Sequence, residues 1–196
     1  YRVITAPSDP LKFLQKEISE EIPLGLVHPN SHGFTRGKSI YTNALKHCSS
    51  RYVLNIDVAN FFPSVKKDSF LPMIKGLNIE KPLISKIEEY CFLDGSLPQG
   101  APTSPILANI FMSTFDLRLT NFCSRYGLSY TRYADDLSIS SKDDWLKINT
   151  GLVISLVDKE LGILGLTRSQ KKTKLMPYYQ RQEVTGLLVN GSKPRL

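Results

Sequence analysis

Apolar residues recur at helical spacing as Leu11, Leu14, Ile18 and Ile22, which predicts a helix over 9–22. Ser8 or Asp9 can cap it, and Pro10 suits its first turn. A stretch rich in His, Gly and Asn (26–37) reads as a loop, and 39–48 as a short helix carrying basic residues. Val53, Leu54 and Ile56 make 51–57 a buried strand. Helices are predicted over 67–75 and 81–92, followed by a turn-rich loop over 95–102. Ser104 then caps a long helix opening at Pro105, with Leu107, Phe111, Phe115, Leu119 and Phe122 forming one apolar stripe along it. Two short strands, 128–133 and 137–141, make a hairpin with Ala134, Asp135 and Asp136 at its tip. A further helix over 144–161 would turn Trp145, Ile148, Leu152 and Leu156 inward, and 183–189 reads as a strand before a hairpin turn at Asn190-Gly191. Helices interleaved with an antiparallel hairpin predict an α+β fold.

A chain of 196 residues accommodates one large domain or two small subdomains. The 41% hydrophobic and 22% charged content is that of a globular protein and excludes collagen-like, low-complexity and disordered classes. No apolar run reaches the roughly 18 residues of a membrane span, so no membrane partner is expected. No secretory signal precedes Tyr1, and Cys48, Cys91 and Cys123 are odd in number and widely spaced. That argues against a disulfide framework or a zinc knuckle and for packing roles in a reducing cytoplasm. A net charge of +7 favours a polyanionic partner without identifying it.

Two places break the local pattern. Asp57 ends an apolar strand, and Asp135 and Asp136 sit side by side on a tight apolar hairpin. Grouped carboxylates repel unless cations compensate, and such violations mark functional sites. Mg²⁺ prefers oxygen ligands, usually one or two carboxylates plus substrate phosphates. Asp57, Asp135 and Asp136, with the Val58 carbonyl, could hold two such ions about 4 Å apart. One would activate a primer 3′-hydroxyl and the other bind a triphosphate, giving in-line phosphoryl transfer. Taken singly, each site reads as an ordinary turn or strand end, because Asp is common in turns.

Three motifs in order change that. Tyr133-Ala134-Asp135-Asp136 resembles the YxDD box of reverse transcriptases. The segment Asn55-Ile56-Asp57-Val58-Ala59-Asn60-Phe61-Phe62 is similar to that family's first catalytic block, and Leu97 to Pro105 resembles its PQG…SP block. Narrower features resemble the bacterial retron class: Asn43-Ala44-Leu45-Lys46-His47 matches an NAxxH element, and Val184-Thr185-Gly186 a VTG triplet. The stretch from His32 to Ser39 is similar to the HGFxxGxS element of retron and group II intron enzymes.

The resemblance implies an RNA-directed DNA polymerase that uses two Mg²⁺ ions, with Mn²⁺ as a substitute. Expected partners are a structured non-coding RNA template, a DNA primer or product and dNTP, with an effector or toxin protein in phage defence. Asp57, Asp135 and Asp136 are then the catalytic carboxylates. Phe62 aligns with the aromatic gate whose bulk excludes a ribose 2′-hydroxyl. Gln99 lies along the incoming nucleotide, with Gly100 keeping the backbone open. Arg36, Lys38 and Lys46 are candidates to clamp the triphosphate, and Lys172, within the Lys171, Lys172 and Lys174 run, to assist the leaving pyrophosphate. Asn43, His47, Val184, Thr185 and Gly186 are expected to bind RNA; for Asn43 and His47 the other reading is that they only fix the fingers.

The expected architecture is the right-hand polymerase. Residues 1–50 form the first part of the fingers, 51–63 a palm strand with the first catalytic block, and 64–104 the connection between them. Residues 105–180 form the palm with the YADD hairpin, and 181–196 a primer-grip-like hairpin. Most or all of the helical thumb, and a helix before Tyr1, would lie outside these residues. Two other readings are a group II intron-like or other defence reverse transcriptase, and a catalytically silent RNA-binding palm. The intact acids weigh against the second, which has no chemical need of them.

Overall fold

The computed structural model describes residues 5–196; the first four residues of the expected 1–50 segment lie outside the described residues. In chain order the elements are α1 (Asp9–Glu21), α2 (Ile40–Leu45), β1 (Tyr52–Val58), α3 (Phe61–Ser64), α4 (Lys67–Lys75) and α5 (Lys81–Tyr90). Next come α6 (Ser104–Phe111), α7 (Ser113–Arg125), β2 (Ser129–Tyr133), β3 (Asp136–Ser141) and α8 (Trp145–Ile148). The last are α9 (Thr150–Ile163), β4 (Arg168–Pro177), β5 (Glu183–Val184) and β6 (Leu187–Leu188). The chain divides into two compact units, one of residues 1–27 and 60–113, the other of residues 28–59 and 114–196. No helix among the described residues is long and apolar enough to cross a membrane.

The first unit is helical. Pro10 sits in the first turn of α1, as its fixed φ allows, and Ile18 and Ile22 are buried. The Gln15 amide donates to the Tyr90 carbonyl at 2.7 Å, joining α1 to the end of α5. Phe70 of α4 is fully buried, its ring 5.6 Å from that of Phe92 and 6.2 Å from that of Phe111.

The second unit is built on an antiparallel sheet of order β2-β3-β1-β4. Central β1 is buried almost throughout, which is why it reads as a continuous apolar run rather than an alternation. Ser39 caps α2 in a reciprocal capping box with Thr42. Beneath α2, Ala44, Cys48, Val53, Met176, Val184 and Leu187 form one buried cluster.

Several elements depart from the expected pattern. The long helix from Ser104 is two helices, divided at Met112. The Ser113 hydroxyl bonds back to the Asn109 carbonyl at 3.1 Å and to Leu26 O at 2.6 Å, a side-chain competition that bends helices. Likewise 144–161 is α8 and α9. The Asn149 amide takes the Trp145 carbonyl at 2.9 Å, and the Thr150 hydroxyl that of Leu146 at 2.6 Å. The buried face runs through Leu146, Val153, Val157 and Leu161, one position on from the expected stripe, while Ile148 and Leu152 are 77% and 52% exposed. The final hairpin turns at Thr185-Gly186, both at positive φ (49° and 82°), as a two-residue hairpin turn requires. Asn190 instead braces the preceding loop, its amide donating to the Tyr178 and Gln180 carbonyls.

Candidate active site

The three acidic residues stand where β1 ends and β3 begins. Asp57 faces Asp136 in register, and the Val58 amide donates to the Asp135 carbonyl at 2.9 Å. Tyr133 pairs with Asp136, leaving Ala134 and Asp135 as the turn, with Ala134 at φ 54°. Side chains facing across antiparallel strands lie about 5 Å apart, and like charges there are unfavourable. Asp57 is buried at 7% exposure. The Asp136 carboxyl is raised to about 6 although the residue is exposed; partial burial of the carboxyl is the first cause, the charges of Asp135 and Asp57 the next, and Lys172 opposes them.

Lys172 is the cation nearest this repulsion, its Nζ 2.6 Å from Asp57 Oδ2. Along β1 the partner changes from Lys174 at Asn55 to Ser169 at Asp57, so the intervening residues of β4 bulge out of the ladder. A bulge re-aims a side chain, and here Lys172 is turned to the carboxylate. The Thr173 hydroxyl donates to the Ser169 carbonyl at 2.9 Å across the bulge, and Arg168 reaches Thr173 at 3.1 Å. Asp136, Lys172, Lys174, Arg181, Thr185 and Gly186 line one open cleft of about 390 Å³.

The donor chemistry fits a hard divalent cation. Carboxylates and the Val58 carbonyl offer oxygen only, and a cation would relieve the repulsion around Asp136. Among the described residues no three His, Cys, Asp or Glu side chains are gathered closely enough to hold a metal ion as they stand. Asp57 and Asp136 are paired by register, Asp135 is tied through its backbone, and Lys172 supplies the positive charge at Asp57.

The basic loop before α2 packs against the carboxylate hairpin. Arg132 N–H donates to Asn30 O at 2.8 Å, and His32 N–H to Arg132 O at 2.7 Å. A Cβ on Gly33 would stand 2.4 Å from the Ala134 nitrogen, so only glycine lets the two backbones approach this closely. The Phe34 ring lies 6.4 Å from that of Tyr133. Arg36 is exposed, whereas the Lys38 ammonium is turned back onto the carbonyls of Pro29 and Ser31.

The NAxxH and VTG elements meet each other. The Asn43 amide lies 3.4 Å from the Thr185 hydroxyl, which lies 3.4 Å from the Ile40 carbonyl. His47 is fully buried, with Nδ1 2.8 Å from Ser140 Oγ and Nε2 2.7 Å from Thr131 Oγ1. Both ring nitrogens thus join the turn after α2 to β2 and β3, and burial lowers the imidazole to about 3. Val184 is buried, and Gly186 is exposed on the turn.

In the helical unit, Phe62 is half-buried with its ring 5.4 Å from that of buried Phe61. The half-buried Gln99 accepts the Thr5 amide at its carbonyl (2.9 Å), and Gly100 has φ 121°. Thr103, not Ser104, stands at the N-cap of α6; the Ser104 hydroxyl closes the loop onto Pro98 O at 2.6 Å.

Sequence reasoning missed a buried trio, Asp116, Tyr130 and Arg132, beneath the turn. Its one sequence signal is an acid at a core phase of α7, beside Phe115 and three residues before Leu119.

Residues 1–188 match the family model described as reverse transcriptase (RNA-dependent DNA polymerase). The chain is 34% identical over 194 residues to the Retron Ec86 reverse transcriptase of Escherichia coli, covering 98% of this chain and 59% of that protein. It is 32% identical over 224 residues to the Retron Mx162 reverse transcriptase of Myxococcus xanthus, covering 97% of this chain and 45% of that one. The chain therefore spans about half the length of these curated relatives. In fold it is similar to a structure of telomerase from Candida albicans in complex with the TWJ fragment of telomeric RNA, with a TM-score of 0.61 and 12% identity over 94% of this chain and 37% of that one. The chain, an α+β assembly of palm and fingers type, belongs to the reverse transcriptase family.

Proposed function

We propose that this chain is the polymerising core of a retron-type RNA-directed DNA polymerase, which extends a primer with dNTP on a structured non-coding RNA and serves in anti-phage defence. The observation that carries the reading is the register of β1 against β3, which sets Asp57 opposite Asp136 with Asp135 in the adjoining turn. Asp57, Asp135, Asp136 and the Val58 carbonyl would hold Mg²⁺, or Mn²⁺ in its stead. The bound ions supply charge stabilisation and lower the pKa of an attacking hydroxyl. Two of these carboxylates come from strands tied by a continuous ladder, so their spacing is fixed before substrate arrives, as efficient phosphoryl transfer requires.

Other roles follow from side-chain chemistry. Lys172, on Asp57 in this structure, is long enough to leave it for a departing pyrophosphate. Exposed Arg36 suits the triphosphate better than Lys38, whose donors are committed to backbone carbonyls. Phe62 is the gate against ribose, and Gln99 with Gly100 flanks the incoming nucleotide. Half-buried Thr185 and exposed Gly186, beside Lys174 and Arg181 along the cleft, suit contact with RNA. Asn43 and His47 act by fixing α2 beneath them.

The deciding experiment is extension of a primed RNA template by the full-length protein with dNTP and Mg²⁺. Asp135→Asn is expected to abolish incorporation while RNA affinity stays within about twofold, because the change removes one charge and almost no volume. Undiminished incorporation would overturn the assignment of the acids.

A further inference from the structure

We infer that Arg132 and Asp116 are positioning residues that set the carboxylate hairpin and lock the basic loop to it, although neither is placed to touch substrate. The inference rests on the polymerase reading. Both side chains are fully buried, with Arg132 Nη2 2.7 Å from Asp116 Oδ2. Burying two ions is costly, and apolar residues of similar volume often serve stability as well or better. A pair kept at such a place needs another reason, and the bonds of the guanidinium supply one.

That fork reaches three separate parts of the chain. Nε donates to Asp116 Oδ1 at 2.9 Å, and Nη2 to Asp116 Oδ2, fixing the guanidinium to α7. Nη2 also lies 3.1 Å from Ser31 Oγ in the basic loop. Nη1 donates to the Ala134 carbonyl at 3.0 Å. That carbonyl belongs to the peptide joining Ala134 to Asp135, so holding it fixes the plane from which the Asp135 side chain departs. Ala134 sits at positive φ without being glycine, a conformation that persists only where the surroundings impose it. The Tyr130 hydroxyl donates to Asp116 Oδ1 at 2.6 Å and holds the acid in turn. Only a planar, five-donor group meets all three demands at once; an ammonium cannot.

Two variants test the inference. Arg132→Lys keeps the charge but loses the fork. The triple change Asp116→Leu, Tyr130→Phe and Arg132→Met removes the charges while keeping an apolar filling, and decides the matter if the single variant does not fold. In the metal-free protein, hydrogen exchange at the amides of 133–137 is expected to quicken. Mn²⁺ affinity, read from the free-ion EPR signal, and kcat for dTMP incorporation on poly(rA)·oligo(dT) should each fall about 10- to 100-fold, as when supporting partners of metal ligands are lost. KM for the primer–template should not change. A folded variant with wild-type exchange, Mn²⁺ binding and kcat would overturn the inference. Absence of incorporation by the wild-type protein would instead defeat the polymerase reading, while exchange and Mn²⁺ binding would still decide the role of Arg132.

Discussion

Single side chains at this site carry opposite proton linkages. Burial lowers His47 to about 3 in the folded chain, against its ordinary 6.5. Below pH 6.5 the unfolded chain gains a proton that the folded chain refuses, so this contribution is complete above 6.5 and is lost as pH falls toward 3. At pH 5 the loss is about 2 kcal/mol. Asp136 works the other way: its carboxyl is raised to about 6, so acidification through that value favours the folded state. The two are separated by urea titrations of wild type and His47→Gln at pH 7 and pH 5, in which the variant should lose the acid-sensitive part. Phe62→Ala should admit ribonucleotides, with the dNTP-over-rNTP ratio of kcat/KM falling roughly tenfold or more; an unchanged ratio would remove the gate. At this scale the sequence was informative where chemistry is concentrated in motifs. The acids, Gln99 and Phe62 stand in recognisable blocks, whereas Asp116 and Arg132 act as a pair only through a contact between α7 and β2 that no local spacing announces.

Among the elements, the prediction tracked the period of the apolar pattern and failed where polar side chains interrupt it. Buried β1 and the β2–β3 hairpin were legible because their apolar content is dense. Strand β4 was not: its Lys171, Lys172 and Lys174 look like a solvated run, and its bulge breaks the twofold alternation. The inward face of α8 and α9 lies one position on from the expected one because apolar residues fill both neighbouring phases, Trp145 beside Leu146, Leu152 beside Val153 and Leu156 beside Val157. The loop before α2 was legible as a motif but not as a partner of the hairpin. Its test is Gly33→Ala. The added carbon meets backbone 2.4 Å away, so loop and turn must separate. A displacement approaching 1 Å near reacting groups costs roughly 10²-fold in rate. Single-turnover dNTP incorporation should therefore collapse while circular dichroism reports a folded protein; retained turnover would deny that the loop sets the turn.

For the whole molecule, the chain passes between its two units at 27/28, 59/60 and 113/114, and one passage separates Asp57 from Phe62. The division of α6 from α7 coincides with the last passage, which an unbroken stripe of apolar residues concealed. The free thiols are distributed across this division: Cys91 lies in the helical unit, Cys48 and Cys123 in the sheet unit, and all are buried. Burial raises Cys91 to about 11 and Cys123 to about 12, so neither is a thiolate at neutral pH. The native protein should resist iodoacetamide, and each sulfur should become alkylated only as its own surroundings open. Pulsed alkylation followed by peptide mass spectrometry along a urea gradient then makes these sulfurs resident reporters of cooperativity. Coincident midpoints would mean one melting transition, and separated midpoints would give the order in which the two parts come undone.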